Sequence, residues 1–456
     1  MAKKKNDPPG LAPVWLGAGI TLVLLGFHPA FAQKTLNLAD CLGLAMKRSV
    51  PLQVAELVGI QSDAKTAQAK AQIWPSVGIT GIYTHLGKVS SFSIPMGPGG
   101  ESRTFKFGTP ENVNVSAKLQ IPLFTWGRIG NTVAMARAGR VLASVQQRQE
   151  RLNVTDQVLR AYYAVLVNRD IIRVQESGVE RAARQARTAE KRFQSGNASN
   201  LELLRAGVQL TNARSGLNEA KGNFAKSMLF LARTVGAEDT AFAVTGILAR
   251  EPFEAAEEDL IAEALAGRAE LGVLAAQMDL QKHSIRVVRS GDKPNLYAFT
   301  GYSVQNGFNP MEPDKFVDNW NAGVQLSIPL FDGFYARHKT DEARIDLKKT
   351  EMQVEDLRDF IRMQMRQSLI NLQLADDRIT AQARNIDLSK EALKTAELQY
   401  ENGLISSLDL TDIQLSLTQS ELLYTQALFN HIMTKLDLCR TVGDYRWFEA
   451  ALQNNP

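Results

Sequence analysis

The sequence predicts a mainly α-helical fold in which a β-hairpin and a long helical hairpin occur twice along the chain. Three observations support this prediction: an internal repeat in constant register, two proline-free segments of unusual length, and short segments in which apolar and polar residues alternate. The composition, with 45% apolar and 22% charged residues, is typical of a folded protein and not of a disordered chain.

Residues 1–32 differ from the rest of the chain and predict a cleaved signal peptide. A basic start at Lys3 to Lys5 precedes an apolar stretch from Leu11 to Phe27, and Ala30 to Ala32 offers small residues for a signal peptidase. The alternative is a membrane anchor. Pro13 and an apolar core shorter than ~20 residues argue against it.

An internal repeat divides the remainder of the chain into two copies. Three landmarks recur 207 positions later: Ile121–Phe124 as Ile328–Phe331, Gly196 as Gly403, and Thr234–Gly236 as Thr441–Gly443. We therefore expect a first repeat at 33–240, with a helix, a β-hairpin at about 75–123 and a helical hairpin at about 126–236. The second repeat at 241–456 would have a helix, a β-hairpin at about 294–330, a helical hairpin at about 333–443 and a tail.

The first copy carries extra residues between its two strands. Trp74–Val77 corresponds to Lys293–Leu296 at a larger offset than the later landmarks, so the insertion falls within Ser90 to Glu111. This stretch is rich in glycine, proline and serine, and it predicts a long loop.

The predicted strands have one apolar and one polar face. In the first copy Val113, Val115, Ala117, Leu119 and Ile121 alternate with polar residues, and Leu296 to Val304 repeats this pattern in the second copy. Such alternation suits a water-filled membrane barrel, although the rim of a soluble sheet looks the same. Four strands cannot close a barrel, and an open edge is not tolerated in lipid. A membrane location would therefore require assembly, and three subunits would supply twelve strands.

The helical segments are far longer than those of ordinary domains. Neither Trp126 to Gln194 nor Gly333 to Asn402 contains a proline, and each would span ~100 Å if it is helical throughout. Helices of this length are stable only through lateral packing. Apolar residues from Leu410 to Leu436 keep the three-to-four spacing of one helix face. A dimeric antiparallel coiled coil would show the same spacing.

Charge and motifs exclude several functional classes. The net charge of +4 is too small to indicate a basic surface that binds nucleic acid. The sequence has no glycine-rich phosphate loop, no His-Glu-x-x-His and no Cys/His cluster, so we expect no enzyme, no cofactor and no metal site. Cys41 and Cys439 could form a disulfide in an exported protein, but the sequence does not decide whether they do.

Two strand exits and two helical turns identify a family resemblance. The exits are Gln120–Phe124 followed by Gly127 and Ser327–Phe331 followed by Gly333; the turns are Arg192–Gly196 and Gln399–Gly403. Proline suits a strand end, and glycine lets the chain bend. With the repeat and the signal peptide, the chain from Leu36 to Gly443 resembles the TolC-like outer-membrane efflux family.

This resemblance implies a homotrimer with a 12-stranded β-barrel in the lipid of the outer membrane, continuous with a long periplasmic α-helical barrel. The function it implies is passive conduction of substrate from an inner-membrane pump, through a periplasmic membrane-fusion adaptor, to the outside. The alternative is a periplasmic structural coiled-coil or adaptor protein without a pore. Neither the cargo nor the class of pump is indicated.

The resemblance also implies functional residues near the helical turns. Asp409 and Asp412 match the acidic rings that follow the second turn, and three copies of each would form a cation-selective constriction. Because Asp favours helix N-termini, helix capping is the alternative for both residues.

A Tyr400–Glu202 hydrogen bond matches the lock that holds the gate shut in the family. The family's basic residue after the second turn is absent, since Leu404 and Ile405 occupy that place, and Arg205 could substitute for it. Six residues at the tips would contact the adaptor, although turn formation explains the same residue types: Ser195, Gly196, Asn197, Asn402, Gly403 and Leu404.

Overall fold

A computed structural model describes residues 34–95, 97, 102–237, 240–250, 253, 255–307, 312 and 314–448. The predicted signal peptide at residues 1–32 lies outside the described residues. The elements in chain order are β1 (Lys34–Leu36), α1 (Leu38–Arg48), α2 (Val50–Ala71), β2 (Ser76–His85), β3 (Ser90–Pro95), β4 (Ser102–Phe107), β5 (Glu111–Phe124), α3 (Arg128–Gln194), α4 (Asn200–Val235), β6 (Phe242–Val244), α5 (Glu257–Gly267), α6 (Ala269–Arg289), β7 (Asn295–Gln305), β8 (Val317–Ser327), α7 (Tyr335–Glu401) and α8 (Ser407–Val442).

The two helical hairpins have matching dimensions. Helices α3 and α7 each contain 67 residues, and α4 and α8 each contain 36 residues. At 1.5 Å per residue, each of the longer helices is ~100 Å long. Both end at a glycine in the left-handed conformation, with φ of 75° at Gly196 and 72° at Gly403. The amide of the next residue bonds back over five positions, from Asn197 to Arg192 and from Leu404 to Gln399, as in a Schellman cap.

Strands from both repeats form one antiparallel sheet of four strands. The order is β2-β5-β7-β8, so β5 and β7 join the two repeats, while β2 and β8 lie at the edges. The stretch Ser90 to Glu111, predicted as a long loop, instead contains the β3–β4 hairpin. The loop prediction was wrong because Phe92 and Phe105 pair across the two strands, with ring centroids 5.6 Å apart, and stabilise extended backbone.

The register of the sheet places apolar and polar residues on opposite faces. One row across the four strands is Ile79, Ala117, Tyr302 and Trp320, and the adjacent row on the other face is Thr80, Ser116, Ser303 and Asn319. The apolar face is uncovered in the protomer, since Ile79 is 76% and Trp320 72% exposed. An apolar face of this extent on a protein surface indicates contact with a partner or with lipid.

The largest hydrophobic core lies where the middle of α3 meets α1, the ends of α4 and α8, and the C-terminal segment. Leu166, Leu231 and Leu436 are fully buried there, and Phe448 packs against the same cluster. The parallel β1–β6 pair borders this core. Cys41 and Cys439 are buried in it as free thiols, and burial raises the pKa of each to about 12.

Within the described residues, none of the helices has the combination of length and apolar character that crossing a bilayer requires.

Candidate functional site at the helical hairpin tips

Short turns join the long helices at one end of the molecule. The predicted adaptor-contact residues are all exposed there: Ser195, Gly196, Asn197, Asn402, Gly403 and Leu404. Several of their side chains stabilise the turns themselves, because Ser195 Oγ donates to the Lys191 carbonyl and Asn402 Nδ2 donates to the Leu398 carbonyl at 2.8 Å. Leu404 is an exposed apolar side chain. Their role in binding an adaptor stays a prediction.

The structure brings Tyr400 and Glu202 together. The Tyr400 hydroxyl donates a hydrogen bond to Glu202 Oε1 at 2.7 Å, which links the end of α7 to the start of α4. The Tyr400 ring is buried with Leu393 and Leu410. Burial, followed by the bond to Glu202, raises the pKa of Tyr400 above its ordinary value, so its hydroxyl remains a donor at neutral pH. That this bond acts as a gate lock stays a prediction.

Arg192, which the sequence identified only as the first residue of the Arg192–Gly196 turn, is a further residue of this site. Its guanidinium carbon lies 4.3 Å from the centroid of the Tyr400 ring, and its Nη2 donates to the backbone oxygens of Tyr400 at 3.0 Å and Glu401 at 3.4 Å. Arg205, the suggested substitute for the missing basic residue, is exposed on α4 and makes none of these contacts. The sequence feature that could have indicated a role for Arg192 is the pair of basic residues, Lys191 and Arg192, in the last turn of α3.

Asp409 caps the helix that follows the second turn. Its carboxylate accepts hydrogen bonds from the Ser406 amide at 3.0 Å and the Ser406 hydroxyl at 2.7 Å, and Ser406 Oγ accepts from the Asp409 amide. The hydrogen bonds from Ser406 hold the pKa of Asp409 below its ordinary value. Asp409 therefore caps the helix, as the alternative interpretation predicted. Its side chain is also exposed, so it remains accessible to ions in solution.

Asp412 lies one turn further along α8. Its side chain is also exposed, and it forms no hydrogen bond or ion pair with any residue that the structure describes. Both carboxylates are thus available to ions in solution. Their predicted place in a pore constriction stays a prediction.

A row of polar contacts aligns α3 with α8 above the tips. Arg181 Nη2 donates to Thr418 Oγ1 at 2.9 Å and to Glu421 Oε2 at 3.1 Å. Gln185 Nε2 donates to Thr411 Oγ1 at 2.8 Å. Arg181 and Gln185 are both buried, so these bonds specify how the two hairpins lie side by side.

A sequence model described as "Outer membrane efflux protein" matches residues 41–237 and 260–438, which is most of the chain. The chain belongs to the outer membrane efflux protein family. This membership confirms the predicted resemblance to TolC-like proteins.

Relatives of this outer membrane efflux protein are about one quarter identical to it over the residues that align. The cobalt-zinc-cadmium resistance protein CzcC of Cupriavidus metallidurans is 24% identical over 351 residues, which cover 76% of this chain and 81% of CzcC. The outer membrane protein TolC of Vibrio cholerae is 23% identical over 294 residues, which cover 63% of this chain and 66% of TolC.

Solved structures share the fold. CusC matches with a TM-score of 0.72 at 17% identity over 90% of this chain and 92% of CusC. The Campylobacter jejuni CmeC outer membrane channel matches with a TM-score of 0.73 at 15% identity over 89% of this chain and 85% of CmeC. The predicted fold class is thus confirmed.

The family assigns the general function and location. This efflux protein is an outer-membrane channel that extends into the periplasm, and it is not an enzyme. The channel interpretation is therefore supported over a periplasmic coiled-coil or adaptor protein without a pore.

Proposed function

We propose that this protein assembles as a homotrimer whose twelve strands close one barrel in the outer membrane, above a helical tunnel in the periplasm. The observation that carries the proposal is the sheet: among the described strands, β2 and β8 each leave one edge unpaired. Backbone groups at such edges must be satisfied in lipid, and pairing β8 of one copy with β2 of the next satisfies them. The exposed apolar face around Ile79 and Trp320 then contacts lipid.

The duct conducts substrate passively from an inner-membrane pump, reached through a periplasmic adaptor. Relatives named for their roles support this wider assembly: CzcC is named for cobalt-zinc-cadmium resistance, and AprF of Pseudomonas aeruginosa for alkaline protease secretion. Because these relatives differ so widely in the named process, they assign no cargo to this protein. We further propose the division into a signal peptide at 1–32 and two repeats at 33–240 and 241–456.

The tips form the gate. Three copies of Asp409 and Asp412 would narrow the pore to a cation-selective constriction. The Tyr400–Glu202 bond would hold the second hairpin against the first, and the adaptor would open the gate by binding the six exposed turn residues. The 2.7 Å hydrogen bond between the hairpins supports this role.

The experiment that tests assembly compares arginine on the two faces of the sheet. Trp320→Arg places a cation on the proposed lipid face, where an arginine costs up to ~2–4 kcal/mol, depending on its depth in the membrane. Its control, Asn319→Arg, places the same side chain on the polar face one residue away. We expect the first variant to be lost from outer-membrane trimers and the second to be retained, as judged by fractionation and light scattering in detergent. A monomeric wild-type particle that never inserts in bilayers would refute the proposal.

A further inference from the structure

The C-terminus of α7 receives its stabilising cation from another helix. The last four carbonyls of a helix lack partners within it, and basic side chains near that end commonly satisfy them. Helix α7 has no basic residue in its last turn, whereas α3 has Lys191 and Arg192 in its own. The carbonyls of Tyr400 and Glu401 accept hydrogen bonds from Arg192 instead.

The same guanidinium covers the face of the Tyr400 ring. The 4.3 Å distance from the guanidinium carbon to the ring centroid is within the range of a cation–π contact. Tyr400 is only 4% exposed, and its hydroxyl donates to Glu202. Two residues of the first hairpin therefore hold Tyr400 of the second hairpin. Arg192 contacts the ring and the backbone carbonyl of the tyrosine, and Glu202 accepts the hydrogen bond of its hydroxyl.

The two repeats are not equivalent at these positions. At the constant offset of 207, Arg192 corresponds to Gln399, and Tyr400 corresponds to Phe193. Glu202 corresponds to Asp409, which bonds back to its own N-cap.

The N-cap of α4 shows the consequence of this difference. Ser199 accepts a hydrogen bond from the Glu202 amide, yet the Glu202 carboxylate bonds to Tyr400 and not back to Ser199. Among the described residues, the contact set of Arg192, Tyr400 and Glu202 thus occurs once, and it joins one hairpin to the other.

We propose that Arg192 is the positioning residue of the gate, which clamps the C-terminus of α7 and the Tyr400 ring against the first hairpin and so holds Tyr400 in place for Glu202. This inference rests on the proposed channel function. Arg192 approaches α7 from α3, and it takes over the stabilising role of the basic residue that is missing after the second turn.

The test compares Arg192→Gln with Arg187→Gln in purified trimers reconstituted in planar bilayers without an adaptor. Glutamine already occupies the equivalent place in α7, so the helix accommodates it there. Arg187 is an exposed arginine of α3 that contacts no described residue through hydrogen bonds or ion pairs, which makes it a matched control. If the protomers open independently, we expect Arg192→Gln to raise the occupancy of the high-conductance state about tenfold, the change that a ~1.4 kcal/mol loss per protomer produces.

A conservative variant separates the clamp from a general loss of charge. Arg192→Lys keeps the charge and can reach one carbonyl, but it loses the planar stack on the ring. Its occupancy of the high-conductance state should therefore lie between those of the wild type and Arg192→Gln. If the wild-type protein conducts and Arg192→Gln gates as the wild type does, the inference about Arg192 is wrong while the proposed channel function stands. A wild-type protein without any channel activity would overturn the proposed function, and the inference with it.

Discussion

The hydroxyl of Tyr400 offers the sharpest test of the proposed lock. Tyr400→Phe removes the 2.7 Å hydrogen bond to Glu202 and leaves the ring, its burial and its stack with Arg192 in place. Hydrogen bonds to ionised groups contribute about 1.5–3 kcal/mol. Because Glu202 is half-buried and regains water when the bond is lost, we take the low end, about 1.5 kcal/mol per protomer.

Assembly multiplies this effect in the proposed trimer. Three bonds that break together would shift the balance between closed and open states by about 4.5 kcal/mol, which is roughly two thousandfold. If the three protomers open independently, the ratio of open to closed states of each protomer would rise only about tenfold. Single-channel recordings in planar bilayers measure the occupancy of the open state and distinguish the two cases by the number of conductance levels.

A matched control shows whether the effect belongs to the lock. Tyr424 on α8 is partly buried, and its hydroxyl has no hydrogen-bond partner among the described residues, so Tyr424→Phe should conduct as wild type does. Glu202→Gln keeps an acceptor oxygen but loses the charge, and it should give a smaller shift than Tyr400→Phe. A Tyr400→Phe channel with wild-type gating would show that the bond does not hold the gate.

Three further predictions follow from burial, backbone conformation and exposed charge. Replacement of both Asp409 and Asp412 by alanine should weaken channel block by multivalent cations in planar bilayers, and an unchanged block would contradict the constriction assignment. Gly443→Ala should lower the free energy of unfolding by more than Gly403→Ala, as measured in urea. Both glycines have positive φ, which costs an alanine ~1–2 kcal/mol, but only at Gly443 would the added Cβ lie 3.1 Å from a backbone oxygen. Equal losses would show that the close approach has no cost. Cys439 should react with a maleimide only after unfolding, since its thiol is buried and its pKa is raised to about 12; rapid labelling of the native protein would contradict this.

The pH dependence of the tips follows from two pKa shifts. The pKa of Asp409 is lowered in the folded protein, so its cap stabilises the start of α8 at neutral pH and is lost as the pH falls through the folded value. The pKa of Tyr400 is raised, so its contribution is complete below the ordinary tyrosine value and is lost as the pH rises through the folded value. Channel recordings at high pH should therefore reproduce the gating of Tyr400→Phe, and constant gating there would contradict the lock.

Local patterns account for the parts of the fold that were predicted correctly. Gly196 and Gly403 end the long helices because a left-handed residue is required there, and such a requirement is visible in the residue itself. The alternation along β5 and β7 marks the two faces of the sheet because successive side chains of a strand point to opposite faces. The Tyr400–Glu202 pair was reached through the family resemblance, not through any local pattern.

Contacts between distant segments account for what was missed. The β3–β4 hairpin depends on pairing between Phe92 and Phe105, in a stretch whose composition resembles a loop. Arg192 resembles any basic residue at a helix end until α7 is placed beside it. The buried contacts of Arg181 with α8 likewise join residues more than 200 positions apart.

The sequence by itself determined the twofold repeat, the lengths of the helices, the positions of their turns and the apolar face of each strand. These features follow from periodicity and from the backbone conformations that single residues permit, so neighbouring positions are sufficient to reveal them. Only the tertiary structure decided that β5 pairs with β7, that β2 and β8 each have an unpaired edge among the described strands, and that Arg192 contacts Tyr400. Such contacts depend on how whole elements pack, and no local spacing in the chain specifies which surfaces will meet.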